Sequence, residues 1–166
     1  MSFEEKLRQF LLPSLNRKFL IRLFIVIAVA YIFFGYILIP LRIDGRSMEP
    51  TYKDGGFNFC WRLSYIFSES QRHDVVAVRF SGKRVMLLKR VIAVAGETVE
   101  FREGKLFVNG LKLEEPYMKF PSDWNWPTRI VDQDKVYVVG DNRSVPIRNH
   151  IFGQVSLQRI VGRVLW

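Results

Sequence analysis

The sequence predicts a mainly β protein: one apolar helix near the N-terminus, then a compact antiparallel, barrel-like β domain. Three observations predict it. Every residue from Leu23 to Leu41 is uncharged. Beyond that run, short stretches of β-branched and aromatic residues recur between Gly, Asn, Asp and Pro. No clear amphipathic helical pattern stands among them.

The run from Leu23 to Leu41, LFIVIAVAYIFFGYILIPL, would span about 28 Å as a helix at ~1.5 Å per residue, close to the hydrocarbon thickness of a bilayer. Lys6, Arg8, Arg17, Lys18 and Arg22 precede it against only Glu4 and Glu5. By the positive-inside rule the N-terminus then faces the cytoplasm. The expected division is residues 1–22 as a cytoplasmic segment, 23–41 as a transmembrane helix and 42–166 as an extracytoplasmic β domain. Ala28-Val29-Ala30 imitates a secretory cleavage site, but a cut there would leave YIFFGYILIPL as an exposed apolar terminus, so the segment reads as an uncleaved anchor.

In the outer domain the expected strands are Asp74–Phe80, Val85–Val94, Thr98–Phe101, Lys105–Val108, Lys135–Val139 and Ile160–Trp166. Glu103-Gly104 and Asn109-Gly110 supply the hairpin turns. Pro116–Pro127 holds three prolines and two tryptophans and reads as a loop. Trp124 and Trp126 suit either a membrane interface or a cap on the β core. The single cysteine, Cys60, cannot form an internal disulfide, so the domain depends on its core. The two histidines, His73 and His150, form no metal-binding spacing, and no cofactor is implied. The net charge is +9, scattered rather than gathered into a basic, aromatic-interleaved run. That argues against nucleic acid and suits either a solvated basic surface or a domain beside anionic headgroups.

Two residues suggest chemistry. Ser47 sits in the turn-like run Asp44-Gly45-Arg46-Ser47-Met48-Glu49-Pro50-Thr51, and Lys89 interrupts the apolar run Val85–Ile92. A hydroxyl on a turn and an amine in an apolar strand are the parts of a serine nucleophile that uses lysine as its base. On a strand, Val85, Leu87, Lys89 and Val91 share one face, and desolvation there disfavours the ammonium. An unperturbed lysine near 10.4 is neutral about once in a thousand around neutral pH, and a downward shift of ~3 units removes that handicap of roughly 4 kcal/mol. A strand lysine taken alone more commonly snorkels to solvent, so the weight falls on the motifs around it.

Three boxes carry a resemblance. Asp44–Thr51, Leu88-Lys89-Arg90-Val91-Ile92-Ala93-Val94-Ala95-Gly96-Glu97-Thr98-Val99 and Val138-Val139-Gly140-Asp141-Asn142-Arg143, with Phe152-Gly153-Gln154-Val155 beyond, resemble in order and spacing the conserved boxes of bacterial type I signal peptidases. The resemblance implies that Ser47 is the nucleophile and Lys89 the general base of a Ser-Lys dyad, with the Ser47 backbone N–H holding the oxyanion. Some relatives add a serine hydroxyl two residues before the nucleophile; Gly45 stands there, as in glycine-bearing members that rely on main-chain donors. Ile43, Met48 and Leu87 match positions lining shallow pockets that admit only small side chains. Arg90 and Asp141 match an ion pair bracing the dyad.

The last box departs from the pattern. Pro146 takes the place of a serine whose hydroxyl orients the lysine in relatives, and proline offers no side-chain donor or acceptor. Ser144 is the candidate substitute. Arg148 and His150 replace the acidic and basic members of an ion pair, so that strut is expected to be absent, and neither is given a catalytic role.

The resemblance implies a bacterial inner-membrane serine endopeptidase that removes signal peptides from exported preproteins after small-x-small sites. It would recognise an extended segment by strand pairing. Its partners would be preprotein signal peptides, membrane lipid and the secretion translocon. A dedicated propilin peptidase serving a conjugative transfer apparatus is the second reading, prompted by the altered box. The third is a membrane-tethered peptide-binding module without turnover, against which the joint presence of Ser47 and Lys89 speaks. A self-cleaving repressor, which also uses a Ser-Lys pair, would need a DNA-binding N-terminus where this chain has an apolar span.

Overall fold

A computed structural model describes residues 16–81, 85–120, 122–144, 146–150 and 153–165. Residues 1–15 of the expected cytoplasmic segment, and Phe152 of the last box, lie outside the described residues. The chain divides into two compact units at Ile37/Leu38.

The first unit is helical. Asn16 caps α1 (Arg17–Ile32), its side-chain oxygen accepting from Phe19 N at 2.8 Å, and the helix runs on through a π-helical turn at Phe33–Ile37. Together these give 21 residues, Arg17–Ile37, long and apolar enough to cross a membrane by length and composition. The apolar segment was expected to stay helical to Leu41. It ends at Ile37 instead, because Leu38–Arg42 pairs as a strand and Pro40 has no N–H for a helical bond.

The second unit is built from two antiparallel sheets. Its strands are β1 (Leu38–Arg42), β2 (Phe57–Trp61), β3 (Val75–Ser81), β4 (Val85–Ala93), β5 (Thr98–Arg102), β6 (Lys105–Val108), β7 (Leu111–Lys112), β8 (Trp126–Ile130), β9 (Lys135–Val139), β10 (Gly153–Ser156) and β11 (Ile160–Val164). The larger sheet has the order β1-β2-β11-β3-β4-β9-β10 and the smaller β7-β6-β5-β8. Register shifts interrupt the β11/β3, β3/β4, β4/β9 and β5/β8 pairings, and such bulges curl sheets. The mainly β, antiparallel expectation is met, and all six expected strands are present within a residue or two of their predicted ends, although Trp166, the expected end of the last, lies outside the described residues. β1, β2, β7, β8 and β10 were not expected. β8 contains Pro127, tolerated because β8 is an edge strand.

Both expected turns form. Glu103 and Gly104 (φ 48° and 74°) join β5 to β6, and Asn109 and Gly110 (φ 53° and 76°) join β6 to β7. Gly104 has a second reason to be glycine: a Cβ there would lie 1.8 Å from Ser122 O. Trp124 is 2 % exposed, in the cluster of Val99, Phe101, Leu106 and Val108, so of its two candidate places it takes the core and not a membrane interface. A second cluster, Leu41, Ile43, Met48, Tyr52, Cys60, Val75, Ala77 and Leu88, lies on one face of β4; a third, Val76, Val78, Val91, Val136 and Val138, lies on the other.

Candidate active site

Ser47 belongs to a turn held at nearly every residue. Gly45, at φ +97°, donates its N–H to Asp54 Oδ1 at 2.8 Å. Arg46 O accepts from Glu49 N at 3.2 Å, and Met48 O accepts from Tyr52 N at 3.0 Å. The Met48 side chain, 1 % exposed, roots the turn in the core beside Ile43. Ser47 itself stays half-buried.

Lys89 lies on β4 opposite Val76 of β3, while Leu87 lies opposite Val78. Directly opposed residues of an antiparallel pair point to the same face, so the Lys89 stem runs among Val76, Val78, Leu87, Val91 and Val138. The residue is 4 % exposed. Burial pushes its amine down to about 8, although the negative charge of Asp141 pulls the other way. The expected apolar setting for this lysine is therefore present.

Gly140 links the two. β9 pairs with β4 as Val139↔Arg90 and Val138↔Val91, and continuing that register by one residue sets Gly140 opposite Lys89, side chains on one face. A Cβ on Gly140 would lie 2.4 Å from Ser47 O and 2.9 Å from His150 Cε1. The missing side chain at Gly140 is what lets the Ser47 turn approach on the face to which Lys89 points. A cavity of about 110 Å³ opens beside it, lined by Lys89, Leu87, Val78, Phe80, Val138 and Val155 among others.

Arg90, one residue on, points to the opposite face. It makes a bidentate pair with Asp141, Nε to Oδ1 at 2.8 Å and Nη2 to Oδ2 at 2.6 Å, and donates Nη1 to His73 O at 2.9 Å. The Tyr117 ring covers its guanidinium at 3.9 Å, and Thr51 Oγ1 donates to Asp141 Oδ2 at 2.5 Å. The pair thus ties the far end of the Ser47 turn to β4. Ile43 and Met48 pack together with Leu88, whereas Leu87 lies on the other face of β4 beside Lys89. The three residues matched to shallow pockets therefore do not share one lining.

In the altered box, Pro146 and Arg148 are exposed. Ser144 does not take over the missing hydroxyl's place, since its Oγ donates to Asn142 Oδ1 at 2.7 Å. His150 is held, with Nε2 2.6 Å from Asn142 O and its ring 4.8 Å from that of Trp124. Burial first, then the positive charges of Lys89 and Arg143, push its imidazole down to about 4 against the pull of the Asn142 carbonyl. Asn142 went unassigned in the sequence although it stands in a quoted box. Arg143, too, is buried, with Nη2 donating to Glu115 Oε1 at 2.6 Å. The sequence signal for either was membership of the box that holds Asp141.

The signal peptidase family, peptidase S26, matches residues 16–166. The chain belongs to that family. It is 32% identical over 170 residues to signal peptidase IB of Staphylococcus aureus, covering 89% of this chain and 88% of that protein. It is 33% identical over 131 residues to signal peptidase I of Leptolyngbya laminosa, covering 74% of this chain; it spans 64% of that relative's length. A crystal structure of a signal peptidase I from Enterococcus faecalis is 26% identical, with a TM-score of 0.48 over 59% of this chain and 98% of that one. Membership of that family classes the chain with the S26 peptidases.

Proposed function

We propose that this chain is a membrane-anchored endopeptidase with a Ser47-Lys89 dyad that removes signal peptides after small-x-small sites. The observation that carries the reading is the buried Lys89 on β4, with the Ser47 turn packed against Gly140, one residue beyond the Val139 that pairs with Arg90. A buried amine held near 8 is substantially neutral at mildly alkaline pH, as a general base must be.

In the proposed mechanism neutral Lys89 takes the proton of Ser47 Oγ as that oxygen attacks the scissile carbonyl, and returns it to the leaving amine. It then takes a proton from the water that hydrolyses the acyl-enzyme. The developing oxyanion is met by the Ser47 N–H. Among the described residues β4 pairs with β9 only over Arg90–Ala93, so the edge at Met86–Leu88 is open to an extended substrate added as a strand. Support for anchoring comes from the apolar helix Arg17–Ile37. The N-terminus faces the cytoplasm and the β unit lies outside it, by the charge rule. Preprotein signal peptides are the substrates and the membrane lipid and translocon the surroundings.

The Pro146 and His150 departures favour one second reading, a dedicated peptidase for a single client such as a propilin. Depletion followed by proteomics of accumulated precursors separates the two: many precursors for the general enzyme, one for the dedicated enzyme. The dyad itself is tested with full-length protein in detergent. Ser47→Ala and Lys89→Ala are each expected to lower preprotein cleavage by at least about 10⁴-fold, while Cys60→Ser cleaves normally. Cleavage persisting in Lys89→Ala removes the dyad.

A further inference from the structure

If the Ser47 N–H meets the oxyanion, something must aim it. A peptide unit is planar and trans, so the carbonyl of Arg46 and the N–H of Ser47 point in opposite directions and are fixed together. Arg46 O accepts from Asn142 Nδ2 at 3.0 Å as well as from Glu49 N at 3.2 Å. The next carbonyl, Ser47 O, accepts from Asn142 N at 3.0 Å. One residue therefore grips two consecutive carbonyls of the nucleophile turn, one of them the back of the peptide whose front is Ser47 N–H. Among the described residues no acceptor takes that N–H.

Asn142 is itself held. Its Oδ1 accepts from Ser144 N at 3.1 Å and from Ser144 Oγ at 2.7 Å, which settles its amide with Nδ2 toward Arg46. Its carbonyl accepts from His150 Nε2 at 2.6 Å, and the His150 ring is wedged between Trp124 and the Gly140 backbone.

We propose that Asn142 is a positioning residue for the oxyanion donor: its side-chain amide fixes the plane of the Arg46-Ser47 peptide, and His150 braces Asn142 from behind. The inference rests on Ser47 being the nucleophile. Neither Pro146 nor Gly45 carries a side-chain hydroxyl, so in this proposal the alignment of the main-chain donor carries more of the catalysis. Glutamine at 150 would keep a donor for the Asn142 carbonyl; alanine would not.

The test uses full-length protein in detergent, a peptide substrate with a small-x-small site, and a peptide aldehyde of the same sequence, which adds to the serine and mimics the tetrahedral oxyanion. Removing an oxyanion donor costs about 10²–10³ in kcat. Misaiming one should cost less, so Asn142→Ala is expected to lower kcat about 30-fold, leave KM within about twofold and weaken aldehyde binding by the same ~30-fold. The acid limb of its pH profile stays in place, because Lys89 is untouched. His150→Ala loses about fivefold in kcat and His150→Gln recovers most of it. Should Asn142→Ala fail to fold, Ser144→Ala, which removes the shorter of the two Ser144 donors to the amide at an exposed site and keeps the backbone one, carries the test, with an expected loss of about threefold in kcat and in aldehyde affinity. Unchanged kcat and aldehyde affinity in the folded variant, or a loss confined to KM, overturns the proposal. Cleavage surviving Ser47→Ala would instead sink the dyad on which it rests, so the two failures are distinguishable.

Discussion

Lys89 and Arg90 are neighbours in one strand, both buried, and they meet opposite fates. On one face of β4, Arg90 is met by both Asp141 oxygens, by the His73 carbonyl and by the Tyr117 ring. Burial works against its charge, yet the Asp141 hydrogen bonds and negative charge outweigh it and its pKa is raised. On the other face, Lys89 is surrounded by valines and Leu87, and burial takes its amine down to about 8. The lesson is that burial alone does not set a charge. A buried cation given a hydrogen-bonded anion keeps its proton and acts as a strut; one given methyl groups holds its proton less tightly, as the proposed base must.

That contrast is broken most severely at Asp141. Asp141→Ala leaves Arg90 buried without its anion, and removing one partner of a buried pair costs about 3–5 kcal/mol; thermal unfolding is expected to show a loss of that order. Gly140→Ala tests the other face, since its Cβ would press on Ser47 O and the His150 ring. With the turn displaced from Lys89, kcat should fall about 10²-fold, by the sensitivity of positioned groups to shifts of an ångström, while unfolding changes less.

Lys89→Met gives the sharpest contrast, because it should make the protein modestly more stable while destroying activity. The Lys89 amine is lowered from 10.5 in the unfolded chain to about 8 in the folded one. Between those values the unfolded chain binds more protons, so stability rises with pH. The cost of burying Lys89 is present in full below the folded pKa and fades as pH climbs toward the unfolded one. A gain of ~1–3 kcal/mol near neutral pH is expected for Lys89→Met, shrinking in alkaline buffer. Denaturant unfolding at several pH values measures it. Arg90→Met, by contrast, should only destabilise.

Much of this contrast was legible in the sequence. Lys89 between leucines and valines announced its apolar setting, because a strand alternates faces with a period of two and β-branched neighbours mark burial. The hairpin turns were equally legible, since Glu103-Gly104 and Asn109-Gly110 suit positive φ. The strands missed have weak local patterns: Gly153-Gln154-Val155-Ser156 has one apolar residue, and Trp126–Ile130 contains Pro127. Their pairing is set by distant partners, Val136–Val138 and Val99–Phe101. The apolar segment forms a helix but the reading ran it four residues too far, since hydropathy does not distinguish an apolar helix from the strand that follows. In the site, Ser47, Lys89, Arg90 and Asp141 stood out by motif. The grip of Asn142 on two carbonyls did not, because it depends on a fold contact spanning the chain from Arg46 to Asn142. That Leu87 lies on the opposite face of β4 from the cluster of Ile43 and Met48 was hidden for the same reason: which face of β4 meets which loop is decided by sheet pairing.

The central claim, an uncharged Lys89 amine serving Ser47, is tested most directly by a site-resolved ¹⁵N NMR titration of the Lys89 side chain in the full-length Ser47→Ala protein. The account predicts a midpoint near the value of about 8, matched by the acid limb of the cleavage rate in the active enzyme. A midpoint near the ordinary lysine value of about 10.4, in a protein whose Ser47-bearing form cleaves at neutral pH, would contradict it.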